Sequence, residues 1–167
     1  MNSGLSTGIL GQMENELRLK MPKLIGNHPL KMIWAYKCFE SVPEGLALHA
    51  DDAIVNLNIW LTPDTANLDK NGTSGGLIVH LTKNVPPEWS NLSFKRMNRL
   101  SEVDRIKLFL SEVKSERIEI PYKQNRAVIF HSNLFHETSS FSFKKGFKNA
   151  RINLTLLCGS KKVRQTL

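Results

Sequence analysis

A chain of 167 residues, 41% of them hydrophobic, has the size of one domain with a single buried core. No apolar run approaches the roughly 18–20 residues of a membrane span, and residues 1–12 lack the regions of an export signal, so a cytoplasmic protein is expected. Two cysteines, Cys38 and Cys158, exclude a disulfide framework, while a formal charge of +8 suits an anionic partner without identifying one.

The domain is expected to span residues 1–167, with an N-terminal helical segment over 1–28, a β core over 29–159 and a basic tail over 160–167. Met13, Leu17, Leu19 and Met21 give residues 11–24 a helical pattern that Pro22 and Gly26 close. Residues 29–39, PLKMIWAYKCF, read as a strand before the turn-formers SVPEG. Over residues 53–61, Val55, Leu57, Ile59 and Leu61 alternate with Asn56, Asn58 and Trp60, the two-residue period of a strand with an apolar and a semi-polar face. A long loop over 62–76 ends in Gly75 and Gly76, a tight turn into a strand over 77–81. A second long loop over 83–100 carries Pro86, Pro87 and Trp89; loops of that length are often functional.

Ser101 reads as the N-cap of a helix over 101–116, with Val103, Ile106, Phe109, Leu110 and Val113 on the face that covers a sheet. Strands follow over 126–131 and 150–158. The fold class expected is an all-β core with a few covering helices, as a β-sandwich or open barrel. Basic residues gather at Lys95, Arg96 and Arg99, at Lys144, Lys145 and Lys148, and at Lys161, Lys162 and Arg164. Without interleaved aromatics these read as solvated faces and speak against nucleic acid.

Chemistry concentrates elsewhere. In His49-Ala50-Asp51 an imidazole and a carboxylate occupy alternate positions of an extended segment and project to one side, which makes a two-ligand pincer. A distant histidine would complete a 2-His-1-carboxylate facial triad, the Fe(II) arrangement that leaves open coordination positions. His136 and His131 are the candidates for it; His80 and His28 read as strand and turn residues. Arg151 opens the apolar strand ARINLTLL, where an inward guanidinium is costly unless it meets an anion.

The ordered set His49, Asp51, a distal histidine and a following arginine resembles the 2-oxoglutarate and Fe(II) dependent dioxygenase superfamily. HADDAIVNLNIWLTPDTANLDKNGTSGGLIVH and IPYKQNRAVIFHSNLFHETSSFSFKKGFKNARINLTLLCG look like a bacterial group of its oxygenase domains, sometimes attached to tetratricopeptide repeats and similar to prolyl hydroxylases and phytanoyl-CoA dioxygenases. The resemblance covers residues 34–159 and implies a double-stranded β-helix, the jelly roll shared with cupins. It aligns FHET with the family histidine, which selects His136 over His131. It further implies Fe(II), 2-oxoglutarate as co-substrate and O2, with hydroxylation of a substrate and release of succinate and CO2. Asp51 favours a hydroxylase over the related halogenases, which lack that carboxylate. Arg151 would hold the far carboxylate of 2-oxoglutarate; Asn153 stands where many relatives carry a serine, and Asn58 or Tyr36 could supply the second anchor. The substrate, a small molecule or a protein side chain, stays unnamed, and no membrane partner is expected. Two rivals are a cupin-type metal enzyme that does not use 2-oxoglutarate and a non-catalytic β-sandwich binding module.

Overall fold

The structure, a computed structural model, describes residues 8–39, 41–43, 45–69, 71–82 and 100–160. The loop over 83–99, with Trp89, Lys95, Arg96 and Arg99, lies outside the described residues, as do Lys161, Lys162 and Arg164. In chain order the elements are α1 (Gly8–Lys20), β1 (Leu30–Cys38), β2 (Leu46–His49), β3 (Val55–Trp60), β4 (Leu77–Leu81), α2 (Leu100–Glu112), β5 (Glu116–Ile120), β6 (Ala127–His131), β7 (His136–Thr138) and β8 (Arg151–Cys158). The strands form two four-stranded antiparallel sheets, ordered β1-β8-β3-β6 and β2-β7-β4-β5.

Both sheets are covered on two faces at their central strands, while β1 and β5 at the edges are half-buried or exposed. Val55 and Leu57 of β3 and Leu154, Leu156 and Cys158 of β8 pack outward with Ile25 and with Leu10, Met13, Leu17 and Met21 of the α1 region. The recurrence of those four residues every three or four positions is why this stretch is a helix on a sheet. Leu19, expected on the same face, is 69% exposed, and the helix ends at Lys20 rather than Leu24. Residues 22–28 form turns, and Arg18 donates to the carbonyls of Ile25, Gly26 and His28, tying the turns to the helix end. On the second sheet, Leu48, Ala50 and Phe135 pack against Ile106 and Leu110 of α2.

Between the sheets, Trp60, Leu77, Val79, Tyr122, Phe141 and Phe143 form an apolar cluster, joined by Val128 and Phe130 of β6. Asn56 and Asn58 face this same interior, because Asn56 pairs with Phe130 and Asn58 with Val128. The semi-polar face of β3 is therefore the inner one, and the apolar face lies under α1.

Both ends of α2 differ from expectation. α2 begins at Leu100, one residue before the start expected at Ser101. The helix stops at Glu112, so Val113 is 47% exposed, and ERIEI at 116–120 is a strand. The long loop over 62–76 contains a 3-10 turn at Asp64–Ala66 and a compact hydrogen-bonded turn. There the Asp69 carboxylate accepts backbone N–H groups of Asn71, Thr73 and Ser74, which hold it well below the usual range, at about 2. Among the described residues no helix is long and apolar enough to cross a membrane.

Candidate metal centre

Sheet register brings the histidines together. His49 ends β2 and His136 begins β7, and the two are direct cross-strand partners, so their side chains leave the sheet on one face. Their ring centroids lie 4.3 Å apart. Leu48 and Ala50, on either side of His49, point the other way into the α2 packing, and so does Phe135 beside His136. The two-residue alternation carries on through Asp51, which returns to the inner side. Its backbone N–H donates to Ser132 O at 2.9 Å.

One Asp51 oxygen stands 3.9 Å from His49 Nε2 and the other 3.5 Å from His136 Nε2. Ligand atoms of the three residues all lie within 4.8 Å of one another, a group that can hold a metal ion. Asp51 and His136 are buried, at 3% and 4% exposure.

Local backbone geometry sets the donor state of both rings. His49 Nδ1 lies 2.7 Å from Ala47 O and His136 Nδ1 3.0 Å from Leu134 O. A carbonyl only accepts, so each Nδ1 carries a hydrogen and Nε2 is the ring nitrogen turned towards Asp51. Burial, then neighbouring His136, pushes His49 down to about 4, which leaves it neutral and able to ligate at neutral pH. The donor set of two imidazoles and a carboxylate suits a first-row divalent ion.

His131 is excluded from this group. It pairs with Val55 on the outward face of β6 and is exposed, whereas Phe130, one residue earlier, points inward with its ring 4.8 Å from that of His136. His80 lies on β4 with Nε2 3.5 Å from Glu137, away from the triad.

Arg151, at 1% exposure, is among the most deeply buried large side chains. Its Nε and Nη2 donate to Gly75 O at 3.0 and 2.8 Å, while Nη1 is buried without a partner among the described residues. The guanidinium lies 4.8 Å from the ring centre of Phe141 and 5.9 Å from that of Tyr122. Burial lowers its pKa to about 10, so the charge persists at neutral pH, yet it forms no ion pair among the described residues. Gly75 holds φ +77, and a Cβ there would stand 3.2 Å from Phe141 Cβ and from the Phe143 ring. The turn is thus more than a link into β4: it delivers the carbonyl that orients Arg151.

The other expected residues are also placed. Asn58 and Asn153 are joined by a 2.7 Å hydrogen bond on the inner faces of β3 and β8. Tyr36 pairs with Asn153 across β1 and β8 and is 41% exposed. Asn56, Tyr122 and Gly75 belong to this interior as well. Alternation in 53–61 hinted at Asn56, but the sequence carries no signal for Tyr122 or for the Gly75 carbonyl.

No family model matches the chain, and no curated protein matches it.

Proposed function

We propose that this chain is an Fe(II)- and 2-oxoglutarate-dependent dioxygenase of the hydroxylase type, built on a double-stranded β-helix. The observation that carries the reading is a buried guanidinium with no carboxylate partner among the described residues, in the same inter-sheet space as a 2-His-1-carboxylate group. An uncompensated buried charge is costly, and a carboxylate of the co-substrate would offset it through the planar fork of Arg151. The jelly-roll reading is supported by strand pairing: β1 pairs β8, β2 pairs β7, β3 pairs β6 and β4 pairs β5, with successive pairs dealt alternately to the two sheets.

When bound, the iron and 2-oxoglutarate would supply oxidative chemistry with O2, yielding succinate, CO2 and a hydroxylated substrate. The chain's own part is to hold metal and co-substrate in register. His49, Asp51 and His136 would take one face of the ion and leave the rest for exogenous ligands. Arg151 would fix one end of the co-substrate, with Gly75 O setting the plane of its guanidinium. Tyr36 and Asn58 border this space as further candidates for contact.

Anaerobic calorimetry tests the reading: 2-oxoglutarate should bind tightly in the presence of Fe(II) and far more weakly without it. Absence of binding under both conditions rejects it and favours a metal enzyme of another chemistry or a binding module.

A further inference from the structure

A hydrogen-bond chain runs from β8 to the metal group. Asn153 Nδ2 donates to Asn58 Oδ1 at 2.7 Å, Asn58 Nδ2 donates to Asn56 Oδ1 at 2.7 Å, and Asn56 Nδ2 donates to Asp51 Oδ2. The Thr155 hydroxyl donates to Asn58 Oδ1 at 2.9 Å and accepts from Asn153 Nδ2 at 2.9 Å. Asn56 is fully buried and Asn58 is 5% exposed. Amides removed from water to that degree are costly unless their partners are in place, and here every link is.

All three amides point the same way, with the NH2 end towards Asp51. An ionised carboxylate has only acceptors, so the group next to it must donate. Reversing Asn56 alone would set oxygen against oxygen at Asp51; reversing Asn58 or Asn153 alone would do so one step back. The charge on Asp51 therefore dictates the orientation of the whole chain, and aligned dipoles in a low-dielectric interior reinforce one another.

We propose that Asn56 and Asn58 are positioning residues for Asp51: they hold its carboxylate in the ligating orientation and anchor it to β8 through Asn153. This rests on the metal reading above. The same polarity gives Asn153 a different role from a carboxylate anchor. Both its N–H groups are spent inside the chain, and its Oδ1, buried without a partner among the described residues, offers an acceptor to whatever group settles beside it.

Co(II) serves as the probe, because its visible d–d absorption reports ligand geometry as well as affinity. Titration of Asn56→Leu should show Co(II) binding weakened about 10- to 100-fold with an altered spectrum, the usual cost of losing a group that supports a metal ligand. Asn58→Leu touches no metal ligand, yet should weaken binding by roughly threefold or more and shift the same bands. Thr155→Val, which keeps the amide chain intact, should stay within about twofold of wild type. If Asn56→Leu fails to fold in a thermal melt, Asn58→Leu decides alone. Wild-type affinity and spectrum in folded Asn58→Leu overturn the chain. Wild-type protein that binds no Co(II) overturns the metal reading and this inference together.

Discussion

Asp51 and Arg151 are both buried charges in the space between the sheets, and their surroundings differ. Asp51 has an amide donor from Asn56 and two imidazole nitrogens within 3.9 Å. Arg151 has a peptide carbonyl, two aromatic rings and a guanidinium nitrogen with no partner among the described residues. One charge is embedded in a group ready for a cation, and the other is only oriented by its neighbours. A protein that keeps an uncompensated cation in its core needs a reason, and an anionic ligand is the one proposed here.

The largest effect that would break this contrast is loss of a metal ligand. His136→Ala should weaken Fe(II) or Co(II) binding by more than the roughly 100-fold that a supporting residue costs, while the outward His131→Ala should leave it unchanged. The opposite result in a paired titration would exchange the two histidines.

Replacing Arg151 sharpens the contrast from the other end. Arg151→Ala should weaken 2-oxoglutarate binding by about 2–5 kcal/mol, the range for truncating one side of a buried charge pair, with metal affinity intact. Arg151→Met should leave the ligand-free melting temperature unchanged or raised, because it removes an uncompensated charge at similar volume. A large fall in melting temperature for Arg151→Met would mean that the guanidinium is structural.

The pH dependence of metal-free stability comes next. His49 is held at about 4, below the ordinary imidazole value near 6.5, so between those values the unfolded chain binds a proton that the folded chain refuses. Stability should be full above about pH 6.5 and fall by on the order of 3 kcal/mol as pH drops towards 4. Urea unfolding at a series of pH values reads this directly, and His49→Gln should flatten the profile.

The smallest expected effect is at the turn. Gly75→Ala places a Cβ on a residue at φ +77 against Phe141 and should cost about 1–3 kcal/mol in stability. It should also weaken 2-oxoglutarate binding, since the carbonyl that orients Arg151 would shift; an unchanged affinity would detach Gly75 from the anion site.

Much of this was legible in the sequence for local reasons. His49 and Asp51 declare themselves by a two-residue period, and the covering helix declares itself by Ile106 and Leu110. Alternation in β3 separates Asn56, Asn58 and Trp60 from Val55 and Leu57. It does not say which face is inside, because α1 buries the outer face as thoroughly as the second sheet buries the inner one. β7 has three residues, too few for any period, and its placement opposite β2 is a matter of sheet register. ERIEI is charged and mostly exposed, so it reads as a continuation of α2 until its pairing with β4 is seen. The Asn153–Asn58–Asn56–Asp51 chain depends on contacts between residues up to 95 positions apart, which no local pattern encodes.

The central claim is that one interior holds both a metal and a carboxylate ligand of that metal. Anaerobic titration of the Fe(II)-loaded protein with 2-oxoglutarate tests it most directly. A weak visible charge-transfer band should grow and saturate, and Arg151→Ala should require far more co-substrate to reach it. Wild-type protein that binds Fe(II) but develops no band would contradict the account.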